Sequence, residues 1–363
     1  MRQDTHVLRR WFVAGLAGLL FATQARASWT VVNLHPANAE ASHAANGAGG
    51  RQAGSAVFNG VRRAGLWHGS AGSWTDLHPA NAANSAAVAT TATHQAGVAQ
   101  LSTSSRAVVW SGTSTSMVDL HPPGSTSSVA TDAAGFSQVG YTYRTSDGRA
   151  HASLWTGSAA SWVDLHPTAP FASRSEAWGA SATHQVGFIL VSSVPRASLW
   201  SGSSASRVDL HPAGATQSLA QGVYANQQVG VASVGGFSRA SLWFSSAASW
   251  VDLHIPAASE SWAEDTCGMY QVGFVVMNGV RTASAWSGSA DTWEDLSAAL
   301  TGKWEATYAS GTWIDGETVY VAGSGYNLGT QRTEALLWSR PIPEASAAAW
   351  LPAFAGLFGR RRP

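Results

Sequence analysis

Between its two ends the chain alternates short apolar runs with clusters of Ser, Gly, Asn and Pro, and no stretch sustains a 3.6-residue apolar period. Residues 196–212 show the pattern in full. Ala197-Ser198-Leu199-Trp200 reads as one strand, Ser201-Gly202-Ser203-Ser204 as a turn, and Val208-Asp209-Leu210 as a second strand ending at His211-Pro212. The same signature closes at Asp76-Leu77-His78-Pro79, Asp119-Leu120-His121-Pro122, Asp164-Leu165-His166-Pro167 and Asp252-Leu253-His254, with degenerate copies at Asn33-Leu34-His35-Pro36 and Asp295-Leu296-Ser297. Its first tryptophan recurs as Trp67, Trp110, Trp155, Trp200, Trp243 and Trp286, spaced by 43 or 45 residues, and a last copy, Trp338, follows a longer gap.

Upstream of each hairpin lies a Gln-x-Gly strand (Gln95-Ala96-Gly97, Gln138-Val139-Gly140, Gln185-Val186-Gly187, Gln228-Val229-Gly230, Gln271-Val272-Gly273), and before that a loosely patterned segment such as Ser175-Glu176-Ala177-Trp178. This gives four short strands per unit, A to D. The first unit begins with a D lacking A to C, and the last has A to C (Trp304 to Ala309, Thr318 to Ala322, Ala335 to Trp338) but no D. The predicted fold is therefore all-β: a seven-bladed β-propeller of four-stranded blades, closed by pairing residues 29–34 with 335–338. A period near 44 residues suits propeller blades. The alternative, a linear solenoid, leaves two open edges prone to aggregation.

Within each hairpin, folding at the turn is expected to set a second tryptophan against the first (Trp67/Trp74, Trp155/Trp162, Trp243/Trp250, Trp286/Trp293). It also sets Arg106 near Asp119, Arg196 near Asp209 and Arg239 near Asp252. The repeated histidines, at the end of the outermost strand, are expected to end strands rather than to share a metal. Equivalent positions on neighbouring blades stand on the order of 15–20 Å apart, from strands about 4.8 Å apart, whereas zinc ligands lie at about 2 Å.

The ends read differently. Arg2, Arg9 and Arg10, then an apolar run from Trp11 to Ala22, then Ala25-Arg26-Ala27 have the layout of a signal peptide over residues 1–27, cleaved after Ala27. Arg9-Arg10 leaves Sec and twin-arginine export both open. The propeller then spans 28–340 and a tail spans 341–363. Pro343 and Glu344, an apolar run of about 20 Å as a helix, and Arg360, Arg361 and Arg362 resemble the PEP-CTERM sorting tail, with Ala345 in place of the usual second proline. That resemblance implies an exosortase-type sorting protease as partner, transient membrane association through both termini, and residence in the cell envelope or outside the cell.

The unit Gln-Val-Gly, then His151-Ala152-Ser153-Leu154-Trp155, then Val163-Asp164-Leu165 resembles the bacterial HAF extracellular repeat, whose core reads His-Ala-Phe-Leu-Trp. The resemblance implies an exported propeller-like protein and supplies no catalytic residues.

Composition narrows the function. With 12% charged residues and a formal net charge of zero, the chain lacks the basic face that a nucleic-acid partner needs. Its single cysteine, Cys267, allows no internal disulfide. No nucleophile elbow, phosphate loop or His-Glu-x-x-His motif is present, so no catalytic residue, cofactor or metal is expected. The acids outside the repeat are Glu176, Glu260, Glu264, Asp265, Glu294, Glu305, Asp315 and Glu317, expected either as solvated charges or as a group at one mouth of the ring. The aromatics outside the hairpin are Trp178, Trp262 and Trp304. Glu176 and Glu260 precede the first two by two residues, an indole beside a carboxylate that suits sugar stacking. The expectation is a non-enzymatic envelope or matrix scaffold. A lectin-like binder of extracellular polysaccharide through these five residues is the alternative, and a carbohydrate-active enzyme stands behind both.

Overall fold

The computed structural model describes residues 28–168 and 172–342. The signal peptide, with Ala27, and the tail with Pro343, Glu344 and Arg360 to Arg362 lie outside the described residues. Among those described, no helix is long and apolar enough to cross a membrane.

Seven four-stranded antiparallel sheets follow one another as the blades of a propeller. Blade 1 is Ala41–Ala48, Arg51–Phe58, Val61–Trp67 and Thr75–Asp76, and blade 6 is Glu260–Thr266, Gln271–Met277, Val280–Trp286 and Glu294–Asp295. The inner strands A of blades 2 to 5 are Ala82–Thr90, Ser125–Ala134, Ala172–Ala180 and Gln217–Tyr224. Blade 7 combines Trp304–Asp315, Thr318–Asn327 and Arg332–Pro341 with the N-terminal Thr30–Asn33, in the register Val31 to Trp338 and Asn33 to Leu336. The expected closure is present, and it leaves neither chain end with an open sheet.

The core is divided among the seams. Each strand-C tryptophan is fully buried and packs on the Asp-Leu leucine of the preceding blade: Leu77 with Trp110, Leu210 with Trp243, and across the closure Leu34 with Trp67. The histidine after that leucine fastens the same seam. Ser218 Oγ, on strand A of blade 5, accepts the Ala197 N–H of blade 4 at 2.9 Å and lies 2.8 Å from His211 Nδ1. His211 Nε2 faces the Ala215 carbonyl, so the proton sits on Nε2 and the serine hydroxyl donates to Nδ1. Equivalent clasps join His35 to Ser42, His78 to Ser85, His121 to Ser128, His166 to Ser175 and His254 to Ser261. The histidines thus end their strands by reaching into the next blade. The aspartate two residues earlier caps the histidine's own N–H and pairs with the strand-C arginine, as Arg196 does with Asp209 and Arg106 with Asp119.

Among the described residues, the cross-strand tryptophan pair expected in four hairpins forms a ring contact in one. Trp67 and Trp74 do meet, with centroids 4.7 Å apart and planes tilted by 60°. In blades 3, 5 and 6 the second indole instead donates to a strand-C serine, Trp162 to Ser153, Trp250 to Ser241 and Trp293 to Ser284, each at 2.9 Å. Blade 1 has Gly65 at that position, where a Cβ would collide with Trp74, so the indole drops onto its neighbour.

The Gln-x-Gly strand also finds its reason. The glutamine Oε1 accepts a backbone N–H of the C–D loop, as Gln185 does from Gly202. A Cβ on the glycine would strike a strand-A carbonyl, Glu176 for Gly187 and Trp262 for Gly273.

Candidate functional site

Every inner strand carries a one-residue bulge at the same height, at Ala45, Val88, Thr131, Trp178, Gln221, Glu264 and Ser310. A bulge turns the extra side chain toward the open edge of its strand. Here all seven line one cavity of about 180 Å³ on the propeller axis. The edges of the inner strands leave backbone N–H groups facing this waist, and such groups need partners. Asp132 accepts the Ala180 N–H and Asp265 the Thr312 N–H, each at 2.8 Å and each from the following blade. Burial raises Asp132 from its ordinary 3.8 to about 7. Burial, then the nearby charge of Asp132, raises Asp265 to about 8.

Toward the side of the B–C turns the channel opens into a second cavity of about 550 Å³, walled chiefly by Glu260, Trp262, Glu264, Phe274, Arg281 and Tyr308. Register explains who meets there. Trp262 pairs with Phe274 across strands A and B, and their rings stack at 6.2 Å with planes 12° apart. The Arg281 guanidinium lies 4.3 Å over Phe274 and 5.8 Å from the Tyr308 ring, without an ion pair or hydrogen-bond partner among the described residues. Trp262 Nε1 donates to Glu260 Oε1 at 2.7 Å. Burial raises Glu264 from 4.5 to about 7, against a bond to Tyr308 and the charge of Arg281. On blade 1, His43 Nδ1 lies 2.9 Å from Ser324 Oγ, and burial lowers the imidazole to about 4. Its Nε2 faces Ser310 Oγ at 3.3 Å rather than a carboxylate.

The five expected site residues do not form one platform. Trp178 sits on the bulge of blade 4, whereas Trp262 precedes the bulge of blade 6 by two residues, so the two Glu-x-Trp pairs stand at different heights. Trp178 Nε1 donates to Glu176 Oε2 at 2.9 Å, but Glu176 is buried and also pairs with Arg174, which commits it. Trp304 lies farther out, its Nε1 donating to the Thr301 carbonyl at 2.8 Å and its ring packed against the seam core. Of the asymmetric acids only Glu260 and Glu264 share the mouth. Asp265 belongs to the waist, while Glu305, Asp315 and Glu317 are exposed. Glu294 ties Trp29 and Arg340 together beside a separate cavity at the closure, also of about 550 Å³, so its arginine is already spent on a carboxylate.

Phe274, Arg281 and Tyr308 were missed in the sequence. The signal available was register. Trp178 stands seven residues before Gln185 and Trp262 nine before Gln271, which already separates their heights.

No family model matches the chain. No curated protein is similar to it. Among solved structures it resembles puromycin hydrolase, with a TM-score of 0.55 and 12% identity over 81% of this chain and 53% of that one. It also resembles a prolyl endopeptidase (0.49, 11%, 84% and 50%) and TolB from Acinetobacter baumannii (0.47, 11%, 67% and 62%). The chain spans about half the length of the first two. At this identity the likeness shows the propeller fold alone. The expectation of a matrix scaffold, with its lectin-like alternative, is corrected: the structures that resemble the chain at a TM-score above 0.5 carry the name puromycin hydrolase and not that of a scaffold or lectin, and the Trp–Glu pairs that supported sugar stacking stand at different levels.

Proposed function

We propose that this chain is an exported, HAF-type propeller that captures short peptides at the mouth of blades 6 and 7 and does not itself cleave them. The mouth supports a binder of ligands carrying charge of both signs on an apolar body. The single observation that carries the reading is the meeting, in one cavity of ligand size, of stacked Trp262 and Phe274, the carboxylate of Glu260 and the unspent guanidinium of Arg281. Peptides offer that combination of charge of both signs and an apolar body. The His43–Ser324 pair argues for binding over hydrolysis. A histidine held near 4 is a weak base at neutral pH, and a serine, not a carboxylate, stands behind it. Export rests on residues 1–27, and the tail keeps the exosortase-type protease as the proposed sorting partner.

Calorimetric titration of the mature protein with unmodified tri- and tetrapeptides, beside neutral oligosaccharides, tests the reading. Saturable peptide binding, lost in Trp262→Ala, is expected. Saturable oligosaccharide binding with no response to any peptide overturns it.

A further inference from the structure

We propose that the mouth reads both ends of a short zwitterionic peptide, Arg281 taking the terminal carboxylate and Glu260 the terminal ammonium, an assignment that rests on the peptide-binding reading above. Register places the two charges. Glu260 pairs with Val276 and Val276 with Arg281, so the three stand in one row across strands A, B and C of blade 6. Residues directly opposite one another share a face of the sheet, and two strand spacings separate the backbones of the outer pair by about 9.6 Å, which sets the scale of the gap between their side chains. An extended chain covers about 3.3–3.6 Å per residue, so three residues span that gap. Val276 stands between the two charged residues, and the next row along the same face is Trp262 and Phe274, an apolar floor beside them.

Each charged group is oriented and still has capacity. The central carbon of the Arg281 guanidinium lies 4.3 Å over the Phe274 ring with its N–H donors unbonded among the described residues, and an arginine with free donors can grip a carboxylate with two parallel hydrogen bonds. The Trp262 indole holds one oxygen of Glu260 and leaves Oε2 for an ammonium donor. Glu264 does not duplicate that role, because its carboxyl is already bonded to Tyr308. Arg281 follows the tight turn Asn278-Gly279, both residues left-handed (φ 51° and 78°), which sets the start of strand C at the rim of the cavity.

The test is calorimetric titration of the mature protein with Ala-Ala-Ala, its N-acetyl form, its C-terminal amide, and the di- and pentapeptide. Free trialanine is expected to bind at least about tenfold more tightly than either blocked form, since one charge-assisted bond is worth about a factor of ten or more. Arg281→Gln should weaken trialanine at least about tenfold yet bind the amide as the unmodified protein does. Glu260→Gln should behave in the same way toward the acetylated form. Melting temperatures alongside show that both variants fold. Blocked and free tripeptides bound with equal affinity overturn the two-ended assignment and leave peptide capture standing. No binding by any peptide, with the protein folded, overturns peptide capture itself.

Discussion

The seam between blades 4 and 5 and the mouth wall of blades 6 and 7 use the same strand positions in opposite ways. At the seam, Leu210 and His211 of one blade meet Ser218 and Trp243 of the next, and the set recurs around the ring with hardly a change. At the mouth, the position two residues before the bulge is Ala86 in blade 2 and Val129 in blade 3, but Trp262 in blade 6 and Tyr308 in blade 7. A contact made at every seam cannot discriminate one blade from another, so repetition marks what holds the ring. A position that changes type where a cavity opens is free of that duty and is where recognition can be built. Arg196 and Arg281 show the contrast in one residue type. The first is bound to Asp209, and the second lies on an aromatic ring with its donors unspent.

The sharpest way to break the comparison is at the seams. Trp243→Ala should cost about 3–5 kcal/mol in denaturant unfolding, because it empties a fully buried site between two blades. A loss below about 1 kcal/mol would mean that the seams do not carry the fold.

Ser218→Ala is a smaller cut at the same seam. It orphans the Ala197 N–H and His211 Nδ1 together, and about 1–3 kcal/mol is expected from a buried donor left unpaired.

The pH profile sharpens the comparison, since waist and seam pull in opposite directions. Asp132, Glu264 and Asp265 have folded values near 7, 7 and 8, above their ordinary range. Their contribution is full only below about pH 4 and is lost progressively as pH rises from there through 7 to 8. Burial lowers the seam histidines His35, His78, His166, His211 and His254 below 6.5. Their contribution is present above 6.5 and is lost as pH falls beneath it. The melting temperature should therefore fall as pH rises from about 6.5 to 8, where the histidines no longer contribute a slope, and Asp265→Asn should make that fall shallower. A melting temperature that climbs steadily to pH 9 would contradict the burial of these carboxylates.

The smallest effect is expected at the mouth. Arg281→Gln should change stability by no more than about 1 kcal/mol, the worth of an exposed cation–π contact with Phe274.

Sequence periodicity carried the ring a long way. The four-strand unit, the closure by residues 29–34 and the Arg–Asp pairs were legible because each is a local spacing repeated several times. The partner of the seam histidines was less so. Ser218 follows His211 by seven residues and Ser85 follows His78 by seven, but only the stacking of one blade on the next shows that this hydroxyl crosses the seam. The mouth was mostly hidden. A bulge adds one residue and inverts the inward and outward alternation beyond it, so Trp178 and Trp262 look alike in the chain and stand at different heights in the channel. Arg281 and Phe274 come from strands C and B, and nothing local ties them to Glu260.

The measurement closest to the central claim is hydrogen exchange by mass spectrometry with and without saturating trialanine. The expected result is slowed exchange confined to segments around 260–266, 274–282 and 306–308, with the seam strands of blades 1 to 3 unchanged. Slowed exchange spread evenly over all seven blades, or absent from blades 6 and 7, would contradict the assignment of recognition to the mouth where the repeat breaks.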